Sequence, residues 1–254
     1  VEPAPTYRSA GADSAIRWDS LGRHGAAFVA GGPTASEISA LIDAPALEPI
    51  RIYAGLESAD DVRARADLVV SELERTGAFE RAVLVVATTT GSGWLEPQTV
   101  DALEYLHAGD TAIVSMQYAY TPSWVSFVFD PDAPVVAAKV LFDAVEQRWL
   151  QLPPNNRPQL ISYGLSLGAH GSQAVFADLD DLRARTDGAM FVGSPGGSAL
   201  WQSLQAARDA GSPAWQPVVD TAAGPGETGE AAVIKAGGPV RVESRAMVVL
   251  RISE

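Results

Sequence analysis

Residues 159–174 read Gln159-Leu-Ile-Ser-Tyr-Gly-Leu-Ser-Leu-Gly-Ala-His-Gly-Ser-Gln-Ala174. The apolar run at residues 160–163 predicts a strand, and the small residues that follow Gly168 open a helical pattern. Between them, Gly164-Leu-Ser-Leu-Gly168 has the G-x-S-x-G pattern of a sharp strand-to-helix turn that exposes a serine hydroxyl. Glycines suit this turn because they let the helix pack close to the strand. We therefore predict that Ser166 is a nucleophile; the alternative is an ordinary polar residue in a tight turn.

Strand and helix patterns alternate on both sides of this turn. Residues 82–87 form a continuous apolar run, which is typical of a parallel strand covered on both faces. Further strand patterns cover residues 49–53, 111–118 and 189–192, and helical patterns cover residues 34–42, 59–76, 98–107, 133–150 and 167–179. This order predicts an α/β fold, a doubly wound and mostly parallel sheet with helices on both faces.

Capping residues and charges add detail to the helices predicted at residues 34–42 and 59–76. Thr34 and Glu37 have the spacing of a capping box. Ser58 is the predicted cap of the helix at residues 59–76, whose charged residues we interpret as a solvated face.

The length suits one large domain, which we place over residues 1–254. Residues 1–20 show little periodicity and predict an irregular lead-in. Residues 193–244 are rich in glycine and proline, with one short helical pattern at 200–207, and predict an insertion. An insertion at this place serves as a lid or pocket wall, or is a loop without a role.

A serine nucleophile needs hydrogen-bond donors for the oxyanion that forms during attack. The backbone N–H of Leu167 follows the nucleophile at the start of its helix, where the helix dipole also favours negative charge. A second donor is expected from the loop after the strand at 82–87, at Thr89 or Thr90. An ordinary glycine turn is the alternative interpretation of that loop.

A base for the serine is harder to find. The fold expected here places its acid and then its histidine after the serine, but His24, His107 and His170 all lie before it or within four residues of it. His170 is a packing residue on the predicted helix or, alternatively, the base. His107 ends a helix, where a cation suits the dipole. Glu254 follows the last predicted strand, at residues 246–252, and is a candidate for the acid.

Composition excludes several classes of function. The net charge of −13 argues against nucleic acid as a partner, because phosphate binding requires clustered lysine and arginine. The sequence has no cysteine, and no group of histidines or carboxylates has the spacing of metal ligands. Its glycine-rich turns lack the G-x-G-x-x-G pattern of a dinucleotide site. We therefore predict neither a metal nor another cofactor.

Several stretches together carry a resemblance to a known family. They are Phe28-Val-Ala-Gly-Gly-Pro-Thr34, Pro49-Ile-Arg-Ile-Tyr-Ala-Gly-Leu56, Glu72-Leu-Glu-Arg-Thr-Gly-Ala-Phe79, Thr88-Thr-Thr-Gly-Ser-Gly-Trp94, Leu103-Glu-Tyr-Leu-His-Ala-Gly-Asp110, Pro122-Ser-Trp124, Arg185-Thr-Asp-Gly188 and Arg208-Asp-Ala-Gly-Ser-Pro213. With the G-x-S-x-G turn, the chain resembles the actinobacterial membrane-associated α/β-hydrolases, in which a helical membrane region precedes a serine-hydrolase domain. Leu165 stands where that family usually has glutamate.

The resemblance implies that Ser166 attacks a carboxylic ester, expected to be lipid-like, and forms an acyl-enzyme. It also implies a membrane or envelope setting through a region outside this chain, which is itself expected to be soluble. The family's acid and histidine would belong to a segment beyond residue 254. Val1 is not a methionine and the chain stops directly after a strand pattern, so we expect a piece of a longer polypeptide. Two other functions stay open, acyl transfer and the non-catalytic binding of a lipid or partner.

Overall fold

Strands and helices alternate along the chain as the sequence predicts. The computed structural model describes residues 6–121, 130, 132–209, 215–220 and 248–252. The strands are β1 Ile50–Ala54, β2 Val83–Thr88, β3 Thr111–Met116, β4 Gln159–Leu165, β5 Gly188–Val192, β6 Trp215–Asp220 and β7 Val248–Ile252. The helices are α1 Gly22–Ala30, α2 Ala35–Ile42, α3 Val62–Arg75, α4 Pro97–Leu106, α5 Ala133–Leu150, α6 Leu167–Gln173, α7 Leu179–Arg185 and α8 Ala199–Asp209.

Five of the strands form one all-parallel sheet in the order β1-β3-β2-β4-β5. At the carboxyl ends of the central strands, Thr88 of β2 pairs with Met116 of β3 on one side and with Gly164 of β4 on the other. Every residue of β1, β2 and β3 is buried, as expected for a parallel sheet covered on both faces. The predicted α/β class is confirmed.

The helices cover the sheet from two sides. α5 contacts α3 and α6, whereas α4 contacts α2. The connection from β2 to β3 crosses the sheet in the opposite direction to those from β1 to β2 and from β3 to β4. Because such crossovers are right-handed, α4 lies on the opposite face from α3 and α5. The chain therefore reverses direction between β2 and β4, and ligands of doubly wound sheets bind at the carboxyl ends beside such a reversal.

The hydrophobic core lies on both faces of this sheet. Ile52, Val85 and Ile113 in the strands are fully buried. On the α5 face, the rings of Phe142 and Phe176 meet edge to face with centroids 5.1 Å apart. This is a preferred geometry for an aromatic pair.

The lead-in is more ordered than its composition predicts. Arg8 forms a parallel bridge to Arg51, and the N–H of Ser9 donates to the Arg51 carbonyl over 3.1 Å. Glu72 of α3, which is 2% exposed, accepts from the Ser14 hydroxyl and from the N–H of Ala15. The lead-in thereby protects the open edge of β1. The interpretation of the α3 charges as a solvated face is wrong for Glu72 and for Arg65, because both residues are buried.

Helix boundaries follow the capping side chains. The capping box of Thr34 and Glu37 is present at α2, as predicted. Ser58 does not cap α3; its hydroxyl accepts from the N–H of Gly55, and Asp61 caps the helix by accepting from Ala64. The helix after the G-x-S-x-G turn ends at Gln173 rather than near residue 179, and α7 is a separate helix capped by Asp178.

The chain forms two compact units, Val1–Leu200 and Trp201–Glu254. In the second unit, β6 and β7 pair antiparallel as a sheet of their own. The predicted final strand thus exists as β7, but in the described residues its partner is β6, a strand that was not predicted from the sequence. Most of residues 210–244, including the greater part of the predicted insertion, lie outside the described residues, so its role as a lid stays a prediction. The single domain over residues 1–254 also stays a prediction.

Candidate active site

Ser166 lies at the turn between β4 and α6 with a backbone conformation that serine rarely adopts. Its φ is 53° and its ψ is −116°, and its side chain is exposed although β4 before it and α6 after it are largely buried. A non-glycine residue at such angles costs about 1–3 kcal/mol and is found mostly at functional sites. The side chain does not cap α6. The hydroxyl is therefore presented to solvent at the start of a helix.

Close packing explains both glycines that flank the serine, Gly164 against α6 and Gly168 against the carbonyl of Thr88. A Cβ atom on Gly164 would lie 2.4 Å from the carbonyl oxygen of Gly168 and 2.6 Å from the N atom of Ala169. No side chain fits there, because both neighbours are backbone atoms that cannot rotate away. The G-x-S-x-G pattern thus reflects the contact between β4 and α6.

Hydrogen bonds from three directions fix the turn. The N–H of Ser166 donates to the Val192 carbonyl at the end of β5 over 2.8 Å, and the Ser166 carbonyl accepts from the N–H of His170 over 3.1 Å. From within α6, the buried hydroxyl of Ser172 bonds to Thr88 Oγ1 over 2.8 Å and to the Tyr163 carbonyl over 2.9 Å. The turn is consequently tied to β2, β4 and β5 at the place where the chain reverses across the sheet.

Of the predicted oxyanion donors, the Leu167 amide remains available. Leu167 is the first residue of α6, so its N–H has no acceptor within the helix. The N–H of Thr90 donates to the Trp94 carbonyl over 3.0 Å, which occupies it within its own loop. The pairing of Thr88 with Met116 in the parallel β2–β3 ladder directs the Thr89 N–H to the Met116 carbonyl. In the described residues, the Leu167 N–H donates to no backbone carbonyl outside its helix. Both threonine amides are engaged in backbone bonds, so the second donor at Thr89 or Thr90 stays a prediction.

The histidines do not complete a catalytic pair with Ser166. Nδ1 of His170 lies 3.3 Å from the hydroxyl of Ser198 in the loop after β5. His107 follows α4, at the amino-terminal edge of the sheet. His24 belongs to α1, which packs on β1, and β1 is three strand positions from β4, or roughly 14 Å at the usual strand spacing. All three histidines of the sequence are thus accounted for.

Other side chains near the carboxyl edge do not replace the base. Burial raises the pKa of Tyr118 and of Tyr163 to about 12, so both phenols stay protonated at neutral pH. Glu254, the predicted acid, lies outside the described residues. Within the ranges that the structure describes, no group of histidines and carboxylates could hold a metal ion.

Two cavities lie at opposite edges of the sheet. A cavity of about 560 Å³ between α3 and α5 is lined by Gly77, Phe79 and Asn156, among others, and therefore lies at the amino-terminal edge. A smaller cavity of about 240 Å³ is lined by Arg65, Tyr118 and Val136 near the starts of α3 and α5. Of these two, only the smaller lies at the edge that carries Ser166.

Several contacts of this site were not predicted from the sequence. Ser198 and Ser194 both bond to α6, the latter accepting from Gln173 Nε2 over 2.5 Å. The Val192 carbonyl has no sequence signal, because any residue supplies the same acceptor. The sequence offers one hint of these contacts: His170 and Gln173 are spaced to share one face of a helix, and the loop after β5 contains two serines.

Comparison with known proteins adds an independent finding. A family model described as an alpha/beta-hydrolase family matches residues 50–224, which is more than half of the chain. A second model, described as the N-terminus of an alpha/beta-hydrolase family, matches residues 1–33. No curated protein and no solved structure gave a significant match.

Proposed function

Because the chain belongs to this alpha/beta-hydrolase family, we propose that it is a serine hydrolase that cleaves a carboxylic ester through an acyl-enzyme on Ser166. One observation carries the proposal: Ser166 holds a strained backbone conformation that presents its hydroxyl at a helix N-terminus. That N-terminus lies beside the reversal of the chain across the sheet. The family supports hydrolysis in general, the geometry supports the serine mechanism, and the ester follows from the resemblance of the sequence.

In the proposed mechanism, the Ser166 hydroxyl attacks the ester carbonyl and the carbonyl oxygen becomes an oxyanion. The N–H of Leu167 would bind this oxyanion together with a donor from the loop at residues 88–94, and the N-terminus of α6 would stabilise its charge. Collapse of the tetrahedral intermediate expels the alcohol and leaves the acyl group on Ser166, which water then hydrolyses. The proton acceptor lies outside the described residues in this proposal, because the His170 imidazole bonds to Ser198.

The resemblance of the sequence to membrane-associated hydrolases favours a lipid-like ester and a membrane or envelope setting, which we include in the proposal. In the ranges that the structure covers, no helix has the length and apolarity to cross a bilayer. Fractionation of producing cells would test the setting: recovery of the complete protein in the soluble fraction alone would contradict it.

A fluorophosphonate probe tests the nucleophile, because it reacts covalently with an activated serine. We expect the complete natural protein to be labelled at Ser166 and the Ser166→Ala variant to remain unlabelled. Ser162→Ala is a matched control, since Ser162 lies on the same strand and is buried. Labelling that persists in Ser166→Ala would refute the assignment.

Acyl transfer and non-catalytic binding are the two alternative functions. Acyl transfer uses the same acyl-enzyme, and an alcohol acceptor added to the ester assay would reveal it as a transesterified product. Non-catalytic binding of a lipid or partner is favoured by the orientation of His170 toward Ser198. A complete protein that binds a fatty-acyl ester with unchanged affinity in Ser166→Ala, and that neither hydrolyses it nor reacts with the probe, would establish binding alone.

A further inference from the structure

The loop that carries Thr89 is a closed turn of defined shape. Thr90 and Trp94 form an antiparallel bridge in which the Thr90 N–H donates over 3.0 Å and the Trp94 N–H returns a bond over 3.2 Å. Gly93 within this turn has a φ of +100°, which only glycine adopts without strain. The loop therefore has one preferred conformation, but a turn of this size still needs to be anchored to the sheet.

Two side chains from other strands supply that anchor. The hydroxyl of Tyr53, near the end of β1, donates to the Gly93 carbonyl over 2.8 Å. Nε2 of Gln117, directly after β3, donates to the Ser92 carbonyl over 3.0 Å and to the Ala119 carbonyl over 2.9 Å. Tyr53 is 0% exposed and Gln117 is 5% exposed, so neither bond has to compete with bulk water.

The fit around Gly93 shows that these contacts are tight. A Cβ atom there would lie 2.3 Å from the Tyr53 hydroxyl and 3.0 Å from Cγ of Gln117. Loss of the Tyr53 hydroxyl would leave the Gly93 carbonyl without this donor in a buried place, which is costly.

The other end of the loop lies against the helix of the nucleophile. A Cβ atom on Gly168 of α6 would meet the carbonyl oxygens of Thr88 at 2.3 Å and of Thr89 at 3.0 Å. The loop thus spans from α6, beside Ser166, to Tyr53 on the edge strand β1. The position of this loop beside Ser166 depends on both attachments.

We propose that Tyr53 and Gln117 are positioning residues that hold the oxyanion loop, residues 88–94, in register with Ser166. The inference rests on the proposed function, because it assigns the second oxyanion donor to this loop. Neither side chain touches the reacting atoms. Both act through the backbone of the loop, so their loss affects the transition state more than the binding of the ester.

The test measures hydrolysis of p-nitrophenyl butyrate by the complete natural protein. We expect Tyr53→Phe and Gln117→Met each to lower kcat about tenfold while KM changes less than twofold, since small misplacements of catalytic groups have effects of this size or larger. The affinity for a trifluoromethyl ketone, which forms a tetrahedral adduct with the serine, should fall in parallel with kcat/KM.

Thr76→Val is the matched control for a lost buried hydroxyl. Thr76 is 6% exposed, and its hydroxyl donates to the Glu72 carbonyl over 2.8 Å at the far end of α3. It should lower thermal stability without changing kcat. Amide hydrogen exchange supplies a readout that needs no activity: residues 89–94 should exchange faster in Tyr53→Phe and not in Thr76→Val.

The outcomes separate the two proposals. If Ser166→Ala abolishes turnover but Tyr53→Phe and Gln117→Met both keep the wild-type kcat, the positioning role is wrong and the proposed function stands. If Ser166→Ala keeps the wild-type turnover, or the complete protein neither hydrolyses the ester nor reacts with a fluorophosphonate, the proposed function fails and the positioning role fails with it. If Tyr53→Phe does not fold, Gln117→Met alone decides.

Discussion

Gly168 of α6 and the carbonyl of Thr88 at the end of β2 are in contact so close that a Cβ atom on the glycine would lie 2.3 Å from the carbonyl oxygen. This contact sets the distance between the helix of the proposed nucleophile and the loop of the proposed oxyanion donor. It couples packing directly to the geometry of the site, because both partners are backbone.

Gly168→Ala is therefore predicted both to destabilise the protein and to displace α6 relative to the oxyanion loop. Overpacking of a dense interior costs about 1–3 kcal/mol, and we expect the upper part of this range because no side chain can move aside. Urea unfolding measures the loss, and slower fluorophosphonate labelling of the folded protein measures the displacement. Gly197→Ala is the control, since a Cβ there meets no atom within 4 Å. Equal stability of the two variants would contradict the prediction.

Glu104→Gln is predicted to reduce stability without altering Ser166. Arg51 donates two bonds of 2.7 Å to the Glu104 carboxylate, and the two residues are 2% and 0% exposed. Removal of one charge from a buried pair costs about 3–5 kcal/mol, and we expect the lower part of this range because Asp101 still accepts from Arg51 over 2.6 Å.

The control for Glu104→Gln is an exposed ion pair. Arg183 and Asp180 are 67% and 92% exposed, and such pairs contribute about 0–1 kcal/mol. Asp180→Asn should therefore unfold at nearly the wild-type urea concentration. Because Arg51 is near the amino end of β1, labelling of Ser166 in the folded fraction should be the same in both variants. A selective loss of labelling in Glu104→Gln would show that the network supports the site.

Acidification is predicted to destabilise the protein partly through His107. The sequence favours a cation at this helix end, but burial lowers the pKa of His107 below its ordinary value of about 6.5, so the folded state favours the neutral imidazole. The unfolded chain then binds more protons between the two pKa values, and stability falls as the pH drops from about 6.5 toward the lowered pKa.

The variant His107→Gln isolates this contribution. The free energy of unfolding, measured by urea titration between pH 7.5 and 5, should fall less steeply in the variant than in the wild type. A single proton limits the difference in slope to about 1.4 kcal/mol per pH unit. Burial lowers the pKa of His24 as well, so the His107→Gln variant should keep part of the pH dependence of stability. Identical slopes would contradict the assignment to His107.

Much of the fold could be predicted from sequence because periodicity and capping are local. The helix predicted at residues 133–150 is α5, Ala133–Leu150, and the strand predicted at 82–87 is β2, Val83–Thr88. α1 was not predicted, since Gly22 and Gly25 weaken its helical pattern. No larger residue fits at position 25, because a Cβ atom on Gly25 would lie 2.4 Å from the Tyr53 ring. Only the tertiary structure reveals this contact.

The residues of the candidate site likewise differ in whether a local sequence pattern predicts them. Ser166 and Leu167 follow from a local pattern, whereas the bond from Tyr53 to Gly93 joins residues 40 positions apart and has no local signature. β6 was missed because Pro217 interrupts a strand pattern. The bond from the Thr90 N–H to the Trp94 carbonyl likewise has no local sequence signature.

The 254-residue chain by itself is predicted to be a poor esterase in which His170 has no catalytic role. His170 is bonded to Ser198 and no other histidine lies near Ser166, so the Ser166 hydroxyl lacks a base. Hydrolysis of p-nitrophenyl acetate should therefore reach only the residual rate of sites without a complete triad, about 10³–10⁴-fold over water. His170→Ala should change this rate less than twofold, and as little as Ser198→Ala, because both variants break the same contact. A rate that His170→Ala abolishes and Ser198→Ala preserves would identify His170 as the base instead.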